Sequence, residues 1–328
     1  MKYVEFLSEA KPLLNLFGGK GSNLIDLIRL GINVPPGFIV STNSYNKFLG
    51  DSHLRDQINQ ILSIEYTQKD VLNISEKIKN LFQKSRIPQE IIYEIKDALY
   101  EIWERNPDKI SFSVRSSANV EDSKEFSFAG QAESYLNNQT LEEILKSIKN
   151  CWISLFSPQA LLYILQMQKK KKNEKKILID LKMAVIVQQM VDSQISGVLF
   201  TVNVLNNSLN QMLINSTWGL GQTVTDSSII PDLIILNKDP FEIMKIIIGK
   251  KEKKSVPNPK GSSTILVDNK PELQNNCSLN ESELYDLYNL GIKLEEYFNY
   301  PQDIEWAIKD NILYTLQSRP ITSLKLNK

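Results

Sequence analysis

Glu305, Gln317 and Arg319 put a carboxylate, an amide oxygen and a guanidinium into one short stretch, DIEWAIKDNILYTLQSRP at 303–320. Such a set can hold a hard cation and a phosphate chain together. The stretch alternates apolar and polar residues in two runs around a short turn, which predicts a β-hairpin. Pairing apolar with apolar places Ile304 opposite Leu316, Trp306 opposite Tyr314 and Ile308 opposite Ile312. Lys309, Asp310 and Asn311 then form a three-residue loop, with Asn311 suited to a left-handed conformation. In that register Glu305 faces Thr315, Gln317 lies diagonally at roughly 7–8 Å, and Arg319 sits further along. An ordinary hairpin with a solvated polar face has the same pattern, so the segment alone leaves both readings open.

Two other segments offer phosphate chemistry. Gly18-Gly19-Lys20-Gly21 places a lysine where a glycine turn meets a helix, and helix N-terminal amides with a lysine favour phosphate. It is not a P-loop, because Gly21 follows the lysine where Ser or Thr is required. Ser113-Val114-Arg115-Ser116-Ser117 carries an arginine at a strand end, suited to bidentate phosphate contact or to an ion pair with Glu121 or Asp122. Trp218-Gly219-Leu220-Gly221-Gln222 is a glycine loop after a strand, without the third glycine of a dinucleotide fingerprint.

Other chemistries are disfavoured. The single histidine, His53, lies in a helical region and reads as a surface or helix-end residue, so a Ser-His-Asp relay or a histidine metal cluster is not expected. Cys151 and Cys277 have no metal spacing and form no disulfide framework. The 38 basic and 38 acidic residues balance, which gives no global pull toward nucleic acid. No apolar run approaches a membrane span and the first residues do not read as a signal peptide, so the expectation is a cytoplasmic protein.

The elements that must position these residues divide into two lobes, 1–182 helix-rich and 183–328 strand-rich, in an α+β fold. Residues 15–31 predict a glycine turn opening a helix that Gly31 stops; 44–105 read as mostly helical, with Pro88 as a break. Residues 112–115 alternate as a strand and 116–130 read as loop. Thr140-x-x-Glu143 is a capping box opening a helix striped by Ile144, Ile148 and Trp152. Residues 169–176 read as a solvated lysine loop. Met183–Val191 and Ile195–Val202 predict a buried strand pair around Asp192-Ser193-Gln194. Further strands are expected at 211–217, 232–236, 243–248 and 262–267, and a helix at 281–299.

Taken in order, GGKGSNL, VPPGF, SVRSSANVEDS, SFAGQAESYLN, CWISLF, VIVQQMV, GVLFT, WGLGQ, PD and QDIEW followed by LQSRPIT resemble one family from about residue 15 to 322. It is the ATP-binding domain of phosphoenolpyruvate synthase, pyruvate phosphate dikinase and rifampicin phosphotransferase. The resemblance implies an ATP-grasp fold, two lobes with ATP in the cleft between them. By position, Lys20 and Arg115 match the family's phosphate-binding lysine and arginine, and Arg319 its second arginine. Glu305 and Gln317 match its Mg2+ ligands. Gln188, Gln189, Met190 and Val191 match the segment that reads adenine, with edge hydrogen bonds expected from Gln188 and backbone and apolar packing from Met190. The loop through Gly130 and Gln131, with Glu133 and Ser134 in place of the usual Asp-Thr, is expected to close over the phosphates.

The resemblance further implies cleavage of ATP to AMP and phosphate, with a phosphoryl group passed to a histidine on a separate swivelling domain. This sequence holds no segment resembling that carrier domain or a substrate domain, so a second polypeptide is the expected source of both. Gln222 stands where the family usually has Glu, Gln159 where arginine is common, and Val204 where proline is usual. Two alternatives remain: a self-sufficient ATP-dependent kinase or ligase acting on a small molecule, such as an antibiotic, and a non-catalytic ATP-binding regulator.

Overall fold

The computed structural model describes residues 2–64, 66–105, 110–119, 134–170 and 181–322. The expected phosphate loop through Gly130 and Gln131, and most of the lysine loop, lie outside them. The chain divides into two compact units, one of 1–26 and 36–190, the other of 27–35 and 191–328.

In the first unit five described strands form an antiparallel sheet. These are β1 (Val4–Phe6), β2 (Gly37–Val40), β3 (Phe112–Ala118), β4 (Ser134–Asn138) and β5 (Met183–Gln189), in the order β1-β2-β5-β3-β4. Residues paired across strands share a face. Phe38, Val187 and Val114 lie in register, as do Val40 and Val185, and they join one apolar core. That core is filled by α2 (Thr42–Asp51), α3 (Leu54–Ser63), α4 (Val71–Lys84), α5 (Gln89–Arg105), α6 (Leu141–Ser154) and α7 (Pro158–Lys170). Trp152 is fully buried and stacks on Phe48 at 4.9 Å between ring centroids. The capping box of α6 forms as its sequence predicts: Thr140 Oγ1 accepts from the Glu143 N–H at 3.2 Å, and Glu143 accepts from the Thr140 N–H at 3.1 Å.

The opposite face of this sheet carries Ser113, Arg115, Ser117, Ile186 and Gln188, and α1 (Leu14–Arg29) lies against it. The helix is interrupted at Gly18, whose φ of 69° and ψ of 179° are non-helical. Gly31 takes φ 70° after the last turn, and the Ile32 N–H donates to the Leu27 carbonyl at 3.0 Å, so the glycine stops the helix as expected.

In the second unit the described sheet has six strands in the order β13-β12-β6-β7-β8-β9. They are β6 (Ile195–Phe200), β7 (Gln211–Trp218), β8 (Asp232–Asn237), β9 (Glu242–Ile247), β12 (Gln302–Lys309) and β13 (Ile312–Pro320). A separate hairpin joins β10 (Lys253–Pro257) to β11 (Thr264–Asp268). Helix α8 (Glu281–Phe298) opens on a second capping box, Asn280 with Glu283, and buries Leu284, Leu287 and Leu294 against β6 and β12. Among the described residues no helix is long and apolar enough to cross a membrane.

Two expectations are corrected here. Met183–Gln189 and Ile195–Phe200 do not pair: β5 sits between β2 and β3, whereas β6 sits between β12 and β7. Residues 191–194 are therefore a crossing between sheets, and a division after 182 would cut β5 from the sheet it completes. The expected register of the closing hairpin also shifts, with consequences for the site.

Candidate functional site

Lys20 and Arg115 are both buried on the α1 face of the first sheet, at 8% and 7% exposure. Three local features bring α1 so close to β3. Ser117 Oγ donates to the Phe17 carbonyl at 2.7 Å and accepts from the Gly21 N–H at 3.0 Å. A Cβ at Gly18 would lie 2.3 Å from the Ser117 carbonyl oxygen, so only glycine permits the approach. Lys20 restarts the helix just beyond that break, and its Nζ donates to the Ser116 carbonyl at 3.3 Å. Two long cations are thus held on one polar sheet face, a setting that favours an anion.

Arg115 pairs in register with Ile186 on β5 and Ser134 on β4. Its Nη2 donates to the side-chain oxygen of Gln188, which is 1% exposed. The side chain expected at the adenine edge is therefore turned to Arg115. The segment that follows is held by its backbone: the Gln189 N–H donates to the Pro36 carbonyl and the Met190 N–H to the Ser111 carbonyl, both at 2.8 Å. Met190 Sδ accepts from the Asn137 N–H at 3.2 Å. Val191 begins the longer of the two stretches that make up the second unit.

In the second unit the hairpin loop has two residues, Asp310 and Asn311, with φ of 51° and 62°. Left-handed backbone at both positions is the turn that matches strand twist. Leu316 is then extra on β13, a bulge that resets the parity of the strand. The result is that Glu305 lies directly opposite Gln317 and Asp303 opposite Arg319. The sequence-based register had placed Gln317 only diagonally near Glu305. Directly opposed residues have Cβ atoms about 4.5–5.5 Å apart, close enough for both side-chain oxygens to reach one ion. Apolar matching succeeds on β12, where Ile304 and Trp306 are fully buried. It fails on β13, where Thr315, Gln317 and Ser318 are buried and Ile312 is 43% exposed. The sheet edge and the bulge override the pattern there. Neither Glu305 nor Gln317 makes a side-chain hydrogen bond to another described residue.

Arg319 donates from Nε at 2.9 Å and Nη2 at 2.8 Å to Asp303 Oδ2. Asp303 is a partner to which the sequence reading gave no role. Burial pushes its carboxyl above the ordinary range, and Arg319 pulls it only partly back. The WGLGQ loop is pinned in the same unit. Gly219 takes φ 76°, its carbonyl accepts from Ser193 Oγ at 2.8 Å and Ser196 Oγ at 2.6 Å, and the Leu220 N–H donates to the Ser255 carbonyl at 2.9 Å. Gln222 Oε1 accepts from Thr264 Oγ1 at 2.7 Å, so its amide ties the loop to β11. His53 is exposed at the start of α3, as a helix-end residue.

Each unit offers limited but definite chemistry by itself. In the first, Lys20 and Arg115 are cations in a setting suited to an anion; in the second, Glu305 and Gln317 offer two hard oxygen donors on the strand pair that carries Arg319. Among the described residues no three His, Cys, Asp or Glu side chains cluster as a metal site. A two-oxygen protein set nevertheless suits Mg2+, which takes one or two carboxylate-type ligands and completes its shell with phosphate and water.

Comparison with known proteins gives one consistent result. The family model described as "Pyruvate phosphate dikinase, AMP/ATP-binding domain" matches residues 14–328. A probable phosphoenolpyruvate synthase of Methanocaldococcus jannaschii is 34% identical over all of this chain and 27% of its own length. The phosphoenolpyruvate synthase of Pyrococcus furiosus is 34% identical over 99% of this chain and 44% of its own length. An uncharacterized phosphotransferase of Bacillus subtilis is 33% identical over 99% of this chain and 36% of its own length. The chain thus spans less than half of these relatives, and it belongs to the family of pyruvate phosphate dikinase AMP/ATP-binding domains.

Proposed function

We propose that this chain is the nucleotide module of a phosphoenolpyruvate-synthase-like phosphotransferase, with an ATP-grasp type of fold. In this reading Lys20 and Arg115 hold phosphate oxygens in the first unit, and Arg319 supplies a further phosphate contact in the second. Glu305 and Gln317 hold Mg2+, which neutralises phosphate charge when bound. Backbone and side chains of 189–191 face the adenine, and Ser134, paired with Arg115 at the start of β4, offers a hydroxyl to the phosphates. The observation that carries the reading is the direct opposition of Glu305 and Gln317 with Arg319 on the same strand pair.

Phosphoryl transfer asks a protein for positioning and charge neutralisation more than for covalent help. Buried cations on a rigid sheet supply both, because they are ordered before the nucleotide arrives. In this reading the acceptor is a carrier histidine supplied from outside this module; the single histidine of the sequence, His53, is exposed at a helix end.

The test is chromatography of nucleotide products from purified chain with ATP and Mg2+, with and without a source-cell extract stripped of small molecules. AMP that appears only with extract supports a carrier-dependent module. ADP formed by the chain alone would instead indicate a direct kinase or ligase.

A further inference from the structure

Gln188 lies where the family resemblance expects an adenine reader, yet its side chain is committed elsewhere. Arg115 and Gln188 share the polar face of the first sheet as diagonal neighbours, since Arg115 pairs with Ile186 and Ser113 with Gln188. Diagonal neighbours lie roughly 7–8 Å apart at the backbone, within reach of two long side chains. The Arg115 guanidinium closes that distance and donates Nη2–H to the Gln188 carboxamide oxygen. Both side chains are buried, at 7% and 1% exposure. The flank of Gln188 opposite β3 is occupied by β2, where a Cβ on Gly37 would come within 3.2 Å of the Gln188 Cβ. The Gln188 backbone carbonyl is also engaged, accepting from Ser113 Oγ at 3.3 Å.

We propose that Gln188 is a positioning residue for Arg115 and takes no part in recognising the base. A neutral acceptor suits that task. It fixes the guanidinium plane through a hydrogen bond to a charged donor, one of the stronger classes. Unlike a carboxylate in the same place, it adds no negative charge beside Arg115. The inference rests on the proposed function, because it presumes that Arg115 meets phosphate.

The test separates base from phosphate by using a ligand that has no base. Binding of ATP, GTP and inorganic tripolyphosphate, each with Mg2+, is measured by calorimetry for the wild-type chain and for Gln188→Met, which keeps the length and loses the acceptor. The expected result is an equal weakening for all three ligands, by about ten- to a hundredfold. Arg115→Lys should weaken binding too, and the double variant should be no worse than Arg115→Lys alone, which a merely structural role of Gln188 would not produce. Gln188→Glu serves if the methionine variant does not fold: it keeps an acceptor but cancels charge, and should weaken all three ligands alike. A loss confined to ATP, with tripolyphosphate unchanged, would overturn the inference and restore base reading. Unchanged binding of all three would overturn it as well. Failure of the wild-type chain to bind ATP would instead refute the proposed function.

Discussion

Asp232→Asn is predicted to destabilise the second unit by about 3–5 kcal/mol. Asp232 is fully buried at the start of β8 and gathers donors from three residues in two separate segments. Its Oδ1 accepts from the Gly249 N–H at 2.9 Å and from the Lys251 ammonium. Its Oδ2 accepts from the Ser278 N–H at 2.8 Å and the Ser278 hydroxyl at 2.7 Å. Lys251 is equally buried and otherwise donates to the Gly249 carbonyl at 3.0 Å. Asparagine fits the space but has one acceptor oxygen, so its NH2 must face either the ammonium or the two Ser278 donors. The first choice strands a buried charge, at about 3–5 kcal/mol. The second strands two donors at about 1–3 kcal/mol each, and the ammonium still faces a neutral oxygen.

Adding Lys251→Met removes the stranded charge, so the double variant should recover more than half of the loss. The assay is urea unfolding followed by tryptophan fluorescence, in which Trp218 and Trp306 report on this unit. Stability is read from the midpoint at constant slope. A cost below about 1 kcal/mol for Asp232→Asn, the range of an ordinary surface change, would refute the reasoning. Strict additivity of the two substitutions would refute it too.

Three further predictions concern the first unit. Gly18→Ala should cost about 1–3 kcal/mol and weaken ATP binding, because φ is 69° and the new Cβ would strike the Ser117 carbonyl at 2.3 Å. Gly50→Ala, in α2 with no atom within 4 Å of the new Cβ, should stabilise by about 0.4–1 kcal/mol, and thermal melts of the two variants make the comparison. Tyr45 is buried and its hydroxyl titrates well above the ordinary tyrosine range because burial penalises the phenolate. A raised folded pKa means that its contribution is intact below about pH 10 and is lost as pH rises further. Stability should therefore fall by about 1.4 kcal/mol per pH unit from this group above pH 10, and Tyr45→Phe should remove that slope in urea melts across the range.

The parts legible in the sequence were those set by local rules. The Thr140 capping box, the Gly31 stop and the alternation on β12 each follow from residues adjacent in sequence or one turn away. The Glu305, Gln317 and Arg319 set was legible as chemistry, but its geometry was not. A bulge at Leu316 and a two-residue turn brought Glu305 and Gln317 face to face, and neither has a signal in apolar pairing. The false strand pair of 183–191 and 195–202 arose because a short polar link between two apolar runs can be a hairpin turn or a crossing between sheets. Only long-range pairing, of β5 with β2 and β3 and of β6 with β12 and β7, decides which. Asp232 appeared only as part of a motif. Its partners Gly249, Lys251 and Ser278 lie 17–46 residues away, beyond the reach of any local pattern.

The central claim is that these residues form an ATP-binding module that uses Mg2+, and direct titration calorimetry of the purified chain tests it. ATP should bind with Mg2+ present and bind more weakly when the ion is chelated, and Glu305→Ala should abolish that Mg2+ dependence. Absence of ATP binding, or binding indifferent to both Mg2+ and Glu305, would contradict the account.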